Sequence, residues 1–94
     1  MYQLVITPSG KKSLKRISFQ AQEELLESAR VLKADPYAGE KLHGSLSFLF
    51  SWHFGCSGVQ YRAAYTIDAA SKLIIIHLVG TRENFYEKLH RLFF

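Results

Sequence analysis

The sequence predicts an α+β domain: a small, antiparallel-rich sheet in the order β-α-α-β-β-β-α, with helices packed on one face. Three observations predict it. Strand-type alternation and helix-type periodicity occupy separate stretches, instead of the regular strand–helix repeat of a parallel α/β fold. Turn residues fall between the stretches. The 94-residue chain is 48% hydrophobic and 14% aromatic, which suffices for one core. No linker, repeat or low-complexity run divides it, so residues 1–94 are expected to form a single domain.

Tyr2 to Thr7 alternates and is rich in β-formers, so it begins the sheet. Pro8, Ser9 and Gly10 stop it, and Ser9 is placed to cap a short helix. That helix holds Lys11, Lys12, Lys15 and Arg16, with Leu14 and Ile17 inward. Ser18 caps a longer helix, Phe19 to about Ala34. Leu25, Leu26, Ala29 and Leu32 form its apolar stripe; Glu23, Glu24, Glu27, Arg30 and Lys33 face water. Asp35-Pro36 ends it, because the residue before a proline avoids helical dihedrals.

Tyr37 to Ser45 reads as loop, and Leu46 to Phe54 as a strand. Its aromatic set, Phe48, Phe50, Trp52 and Phe54, points to the core; Ser51 and His53 point the other way. Gly55 to Gly58 turns the chain into a strand from Val59 to Ile67. There Tyr61, Ala63, Tyr65 and Ile67 make the core side, leaving Arg62 on the open face beside small residues. Lys72 to Val79 is the most apolar strand, with Ile74, Ile76 and Leu78 on one side and His77 on the other. Glu83 to Phe94 is a terminal helix whose Phe85, Leu89 and Leu92 share a face; Thr81 stands where its cap would be.

Net charge is +4, and the bases cluster, which favours an anionic partner. The single cysteine, Cys56, allows no internal disulfide and suits a reducing compartment. The histidines and Cys56 lack metal-ligand spacing, so no metal or cofactor is expected. MYQLVITPSG lacks the charged start of a signal peptide, and no apolar run approaches the roughly 20 residues of a membrane span. A cytoplasmic protein without a membrane partner is expected.

If the last three strands are neighbours, His53, Arg62 and Arg82 converge on one concave surface, with Tyr86 one turn into the final helix. Guanidinium groups match phosphate oxygens in pairs, while phenol and imidazole stack on bases or move protons. The set suits an RNA phosphodiester. His77, in so apolar a strand, is expected to be hydrogen-bonded inside the fold.

YRAAY, Tyr61 to Tyr65, followed by VGTRENFY, Val79 to Tyr86, resembles the RelE/ParE superfamily of bacterial toxins. KKSLKRIS near the start, the DPYAGEKLHG loop and the element order agree, so the resemblance spans nearly the whole chain. It implies the toxin of a type II toxin–antitoxin system, with a cognate antitoxin as partner in a heteromeric complex. RelE-like members cut messenger RNA, usually in the 30S ribosomal A site; ParE-like members poison DNA gyrase and lack the nuclease residues. This chain keeps the arginine pair and tyrosine, at Arg62, Arg82 and Tyr86, which implies a metal-independent endoribonuclease that inhibits translation. A gyrase inhibitor without nuclease activity, or an inactive antitoxin-binding member, is the alternative. RelE has lysines in the second strand, where this chain has SWHFG. That departure leaves the general base open, with His53 as the candidate. Under this resemblance Arg62 stabilises the pentavalent phosphate, Arg82 binds phosphate or the leaving oxygen, and Tyr86 stacks or orients. Lys11, Lys12, Lys15 and Arg16 would hold ribosomal RNA phosphates.

Overall fold

The computed structural model describes residues 1–94. Its sheet has five strands: β1 (Gln3–Ile6), β2 (Glu40–Lys41), β3 (Phe50–Cys56), β4 (Val59–Asp68) and β5 (Leu73–Thr81), in the order β1-β5-β4-β3-β2. β1 runs parallel to β5, and every other pairing is antiparallel. The helices are α1 (Pro8–Leu14), α2 (Phe19–Ser28), α3 (Arg30–Ala34) and α4 (Phe85–Phe93), with short 3₁₀ turns at Pro36–Ala38 and Gly44–Leu46. The α+β class and the antiparallel-rich sheet are those the sequence predicts; β2 is an added strand, too short to show periodicity.

The single long helix expected from Phe19 to Ala34 is broken at Ala29. Ser28 bonds back to the Leu25 carbonyl and also accepts from the Trp52 indole at 3.0 Å. Such back-bonding by serine bends helices. Ala21, Leu25, Ala29 and Leu32 are buried, whereas Leu26 is 48% exposed and leaves the predicted stripe. They meet Phe54, Tyr61, Ala63, Tyr65, Ile74, Ile76 and Val79 in the larger core.

Both faces of the sheet are covered, so the expected single helical face is corrected for α4. Phe85 and Leu89 of α4 pack with Ala64, Leu42, Leu46 and Leu49 in a second core on the opposite side. A bulge helps to build it. Ala64 pairs with Leu78 and Tyr65 with Ile76, leaving His77 without a partner. The extra residue shifts the alternation. Leu78 therefore packs against α4, and Val79 takes its expected place in the larger core. Ser51, expected on the open face, is buried there.

α1 has a separate role. β1 pairs with β5 only through Ile76, leaving the rest of that edge without a neighbouring strand. α1 lies along this remainder: Ser13 accepts from the Val79 amide at 2.9 Å, and Ser9 donates to the His77 carbonyl at 3.3 Å. An unpaired strand edge is thereby closed. Gly10 permits the approach, since a Cβ there would lie 2.6 Å from the Ile76 carbonyl oxygen. Thr7, not Ser9, caps the helix by accepting from the Gly10 amide.

Candidate nucleic-acid site at the end of the sheet

The second core covers only part of its face. Beyond Ala64 the strands continue, and His53 and Arg62 lie there. His53 stands directly opposite Arg62 in the β3–β4 register. Opposed residues on one face of a sheet place their Cβ atoms about 4.5–5.5 Å apart. On its other side Arg62 is opposite Gly80. A Cβ at Gly80 would meet nothing within 4 Å, so the space beside Arg62 is open.

Arg62 Nη1 donates to the Tyr86 hydroxyl at 2.7 Å. Its guanidinium carbon lies 5.5 Å from the Tyr86 ring centroid. The phenol thus holds the guanidinium while its own O–H stays available to donate, and Tyr86 is 42% exposed. β4 supplies one partner and the first turn of α4 the other, so docking of α4 sets their contact. Asn84 turns the chain into α4 with a left-handed φ of 56° and no side-chain cap. The Thr81 cap expected from sequence is therefore absent; Thr81 stays in β5, opposite Tyr61. Arg82 sits on the exposed turn between β5 and α4, and its carbonyl accepts from the Phe85 amide.

Neither arginine is neutralised. The molecule's one ion pair joins Arg30 to Glu27 on α2. Asp68 accepts from the Ser71 amide in its own turn. An uncompensated guanidinium beside an open surface is a receptor for anions.

His77 stands apart from this cluster. Its Nε2 lies 2.8 Å from Thr66 Oγ1, and its ring meets Phe93 edge-on at 5.2 Å. Burial lowers its pKa. The basic run divides. Lys12 and Arg16 line a cleft of about 380 Å³ between α1 and α4, where Lys88 and Arg91 face them. Lys11 and Lys15 are exposed outside it. Sequence reasoning gave Lys88 and Arg91 no role. Their i, i+3 spacing was visible, but the facing helix was not. No three His, Cys, Asp or Glu side chains gather anywhere in the molecule to hold a metal.

The uncovered part of the sheet thus carries an unpaired guanidinium, Arg62, in contact with Tyr86 and opposite His53. Comparison with known proteins is more specific. Residues 4–90 match the family described as ParE-like toxin of type II bacterial toxin–antitoxin system, and the chain belongs to that family. A chain of the RelBE2 toxin–antitoxin complex of Mycobacterium tuberculosis is similar at 25% identity and a TM-score of 0.75, over 86% of this chain and 98% of that one. A mutant of Escherichia coli toxin RelE in the free state shares 15% identity and a TM-score of 0.77, over 99% and 98%. A chain of the intact E. coli RelBE complex shares 16% identity and a TM-score of 0.70, over 86% and 96%. No curated protein matches in sequence.

Proposed function

We propose that the chain is a toxin acting as a metal-independent endoribonuclease on messenger RNA, on the ribosome, so that translation stops. One observation carries the reading: Arg62 and Tyr86 meet at 2.7 Å on an exposed surface, with His53 opposite and no carboxylate paired to the arginine. In this reading the ribose 2′-OH attacks the adjacent phosphorus. His53 accepts the hydroxyl proton. The P–O5′ bond breaks, leaving a 2′,3′-cyclic phosphate and a 5′-OH once the leaving oxygen is protonated. Arg62, oriented by Tyr86, stabilises charge on the phosphorane; Arg82 binds the phosphate or sits near the leaving oxygen. DNA has no 2′-OH and cannot follow this route.

The partner is a cognate antitoxin in a heteromeric complex. Support comes from similarity to chains solved within toxin–antitoxin complexes and from the uncompensated bases. The test is purified chain acting on ribosome-bound messenger RNA. The expected products carry cyclic phosphate and 5′-OH ends, and a single 2′-deoxy substitution at the cut position abolishes them. Cleavage that survives the substitution would refute the mechanism.

The description of the matched family favours a second reading, a gyrase-directed toxin without nuclease activity. It makes no demand on a 2′-OH or on the Arg62–Tyr86 contact.

A further inference from the structure

The cleft between α1 and α4 has its own chemistry. Lys12 and Arg16 lie on one wall and Lys88 and Arg91 on the other. Leu78 and Leu92 contribute apolar surface, and no carboxylate lines it. None of the four cations has an ion-pair partner. Ser9 and Ser13 also line it, but their hydroxyls are engaged with the backbone of β5 and α1, which fixes the wall. Like charges brought together at a helix–helix boundary repel unless an anion joins them.

This cleft does not end blindly. A second hollow of about 170 Å³ shares Ser13, Arg16, Leu78 and Lys88 with it and continues to Val79, Gly80 and Thr81. Gly80 is the register partner of Arg62. The two hollows therefore make one track, from Lys12 and Arg91 past Arg16 and Lys88 to Gly80, the residue beside Arg62 in the sheet. The largest hollow in the molecule, about 500 Å³, is lined by Glu23, Glu24 and Glu27 with Cys56, so a polyanion is repelled there.

We propose that this track binds successive phosphates of a single RNA strand whose scissile phosphate lies at Arg62. The proposal rests on the nuclease reading for the strand's destination, while the binding itself is measurable without cleavage. Continuity favours a strand over a free phosphate, because cations spaced along a path need a ligand with charges spaced to match. It favours RNA over an acidic amphipathic peptide. Such a peptide needs a continuous apolar stripe; of the four apolar side chains along the two hollows, Ile17, Leu78, Val79 and Leu92, Val79 is buried, which leaves three among four cations.

The test is anisotropy of fluorescent 2′-O-methyl oligonucleotides, which cannot be cut, across a salt series. A dinucleotide reports on the Arg62 end and a twelve-nucleotide strand on the whole track. Lys88→Gln with Arg91→Gln is expected to flatten the long strand's log–log salt slope by about 1.4, at roughly 0.7 per phosphate on a single strand. Dinucleotide binding is expected to stay unchanged. Gly80→Leu adds no charge but fills the junction, and is expected to weaken the long strand at least as much. Circular dichroism confirms that both variants are folded. With Lys88→Gln and Arg91→Gln, equal loss for both lengths, no loss for either, or loss of an acidic peptide's binding in place of the strand's would overturn the proposal, as would undiminished long-strand binding by Gly80→Leu. Length-dependent binding without any cleavage of unmodified RNA would leave the track standing and refute the nuclease reading.

Discussion

Arg62 matters through the company it keeps. Its guanidinium has a phenol to orient it and no acid to neutralise it. Loss of one preorganised donor to a transition-state oxyanion costs on the order of 10²–10³ in rate. Arg62→Ala is expected to slow cleavage of ribosome-bound messenger RNA by that factor. Tyr86→Phe keeps the ring against the guanidinium and removes only the hydroxyl, so its loss is smaller. Equal losses for the two would show that the hydroxyl, not the arginine's charge, is the essential group. The facing of His53 and Arg62 could be read in the sequence, because it needs only strand alternation and strand adjacency. What could not be read is the direct bond between Arg62 and Tyr86. The two are 24 residues apart, and their contact depends on where α4 docks.

At the scale of elements, tertiary contacts override local signals in three places. Trp52 and Ser28 help to break a helix that periodicity makes continuous. A bulge at His77 exchanges the roles of Leu78 and Val79, and the alternation of KLIIIHLV gives no sign of it. α4 crosses to the far face because Ala64, on the side assigned to solvent, is small enough to lie beneath it. His77 reports on that docking, being held between Thr66 and Phe93. Its pKa is lowered by burial, so the unfolded chain binds more protons as pH falls through the histidine range. Stability is therefore present above that range and declines on acidification. Denaturant melts from pH 7.5 to 5 are expected to show the decline, and His77→Gln to reduce it; an unchanged slope in the variant would assign the effect elsewhere.

Tyr65 anchors the opposite end of the sheet. Its hydroxyl donates to the Pro36 carbonyl at 2.8 Å and accepts from the Gly39 amide at 3.0 Å. Tyr65→Phe strands both backbone groups and is expected to cost about 1–3 kcal/mol in urea unfolding. Burial pushes this phenol's pKa up to about 12. The unfolded chain then ionises first above pH 10, so the phenol's stabilising effect is lost as pH rises through 10 to 12. The phenylalanine variant should lack that alkaline loss.

Across the whole molecule, charge is sorted by face. Glutamates gather on α2 beside the β3–β4 turn, while bases gather between α1 and α4 and along the strand ends. The sequence shows the excess of four positive charges and the clustering of lysines near the start. It does not show that Lys12 and Arg16 face Lys88 and Arg91, because that depends on α1 lying along the edge of β5 while α4 covers the second face. No helix is long and apolar enough to cross a membrane. The open surface at Arg62 suits both RNA and an acidic antitoxin, so the two are expected to compete there. Antitoxin binding should protect RNA.

The central claim is that this toxin cuts RNA at Arg62. Its most direct test is mapping of messenger RNA 5′ ends in cells after brief induction of the chain, beside an equally abundant Arg62→Ala variant. New 5′-OH ends inside coding regions, strongly reduced in the variant, are the predicted result. Growth arrest with DNA-damage signalling and no new ends would contradict the account and assign the toxin to gyrase.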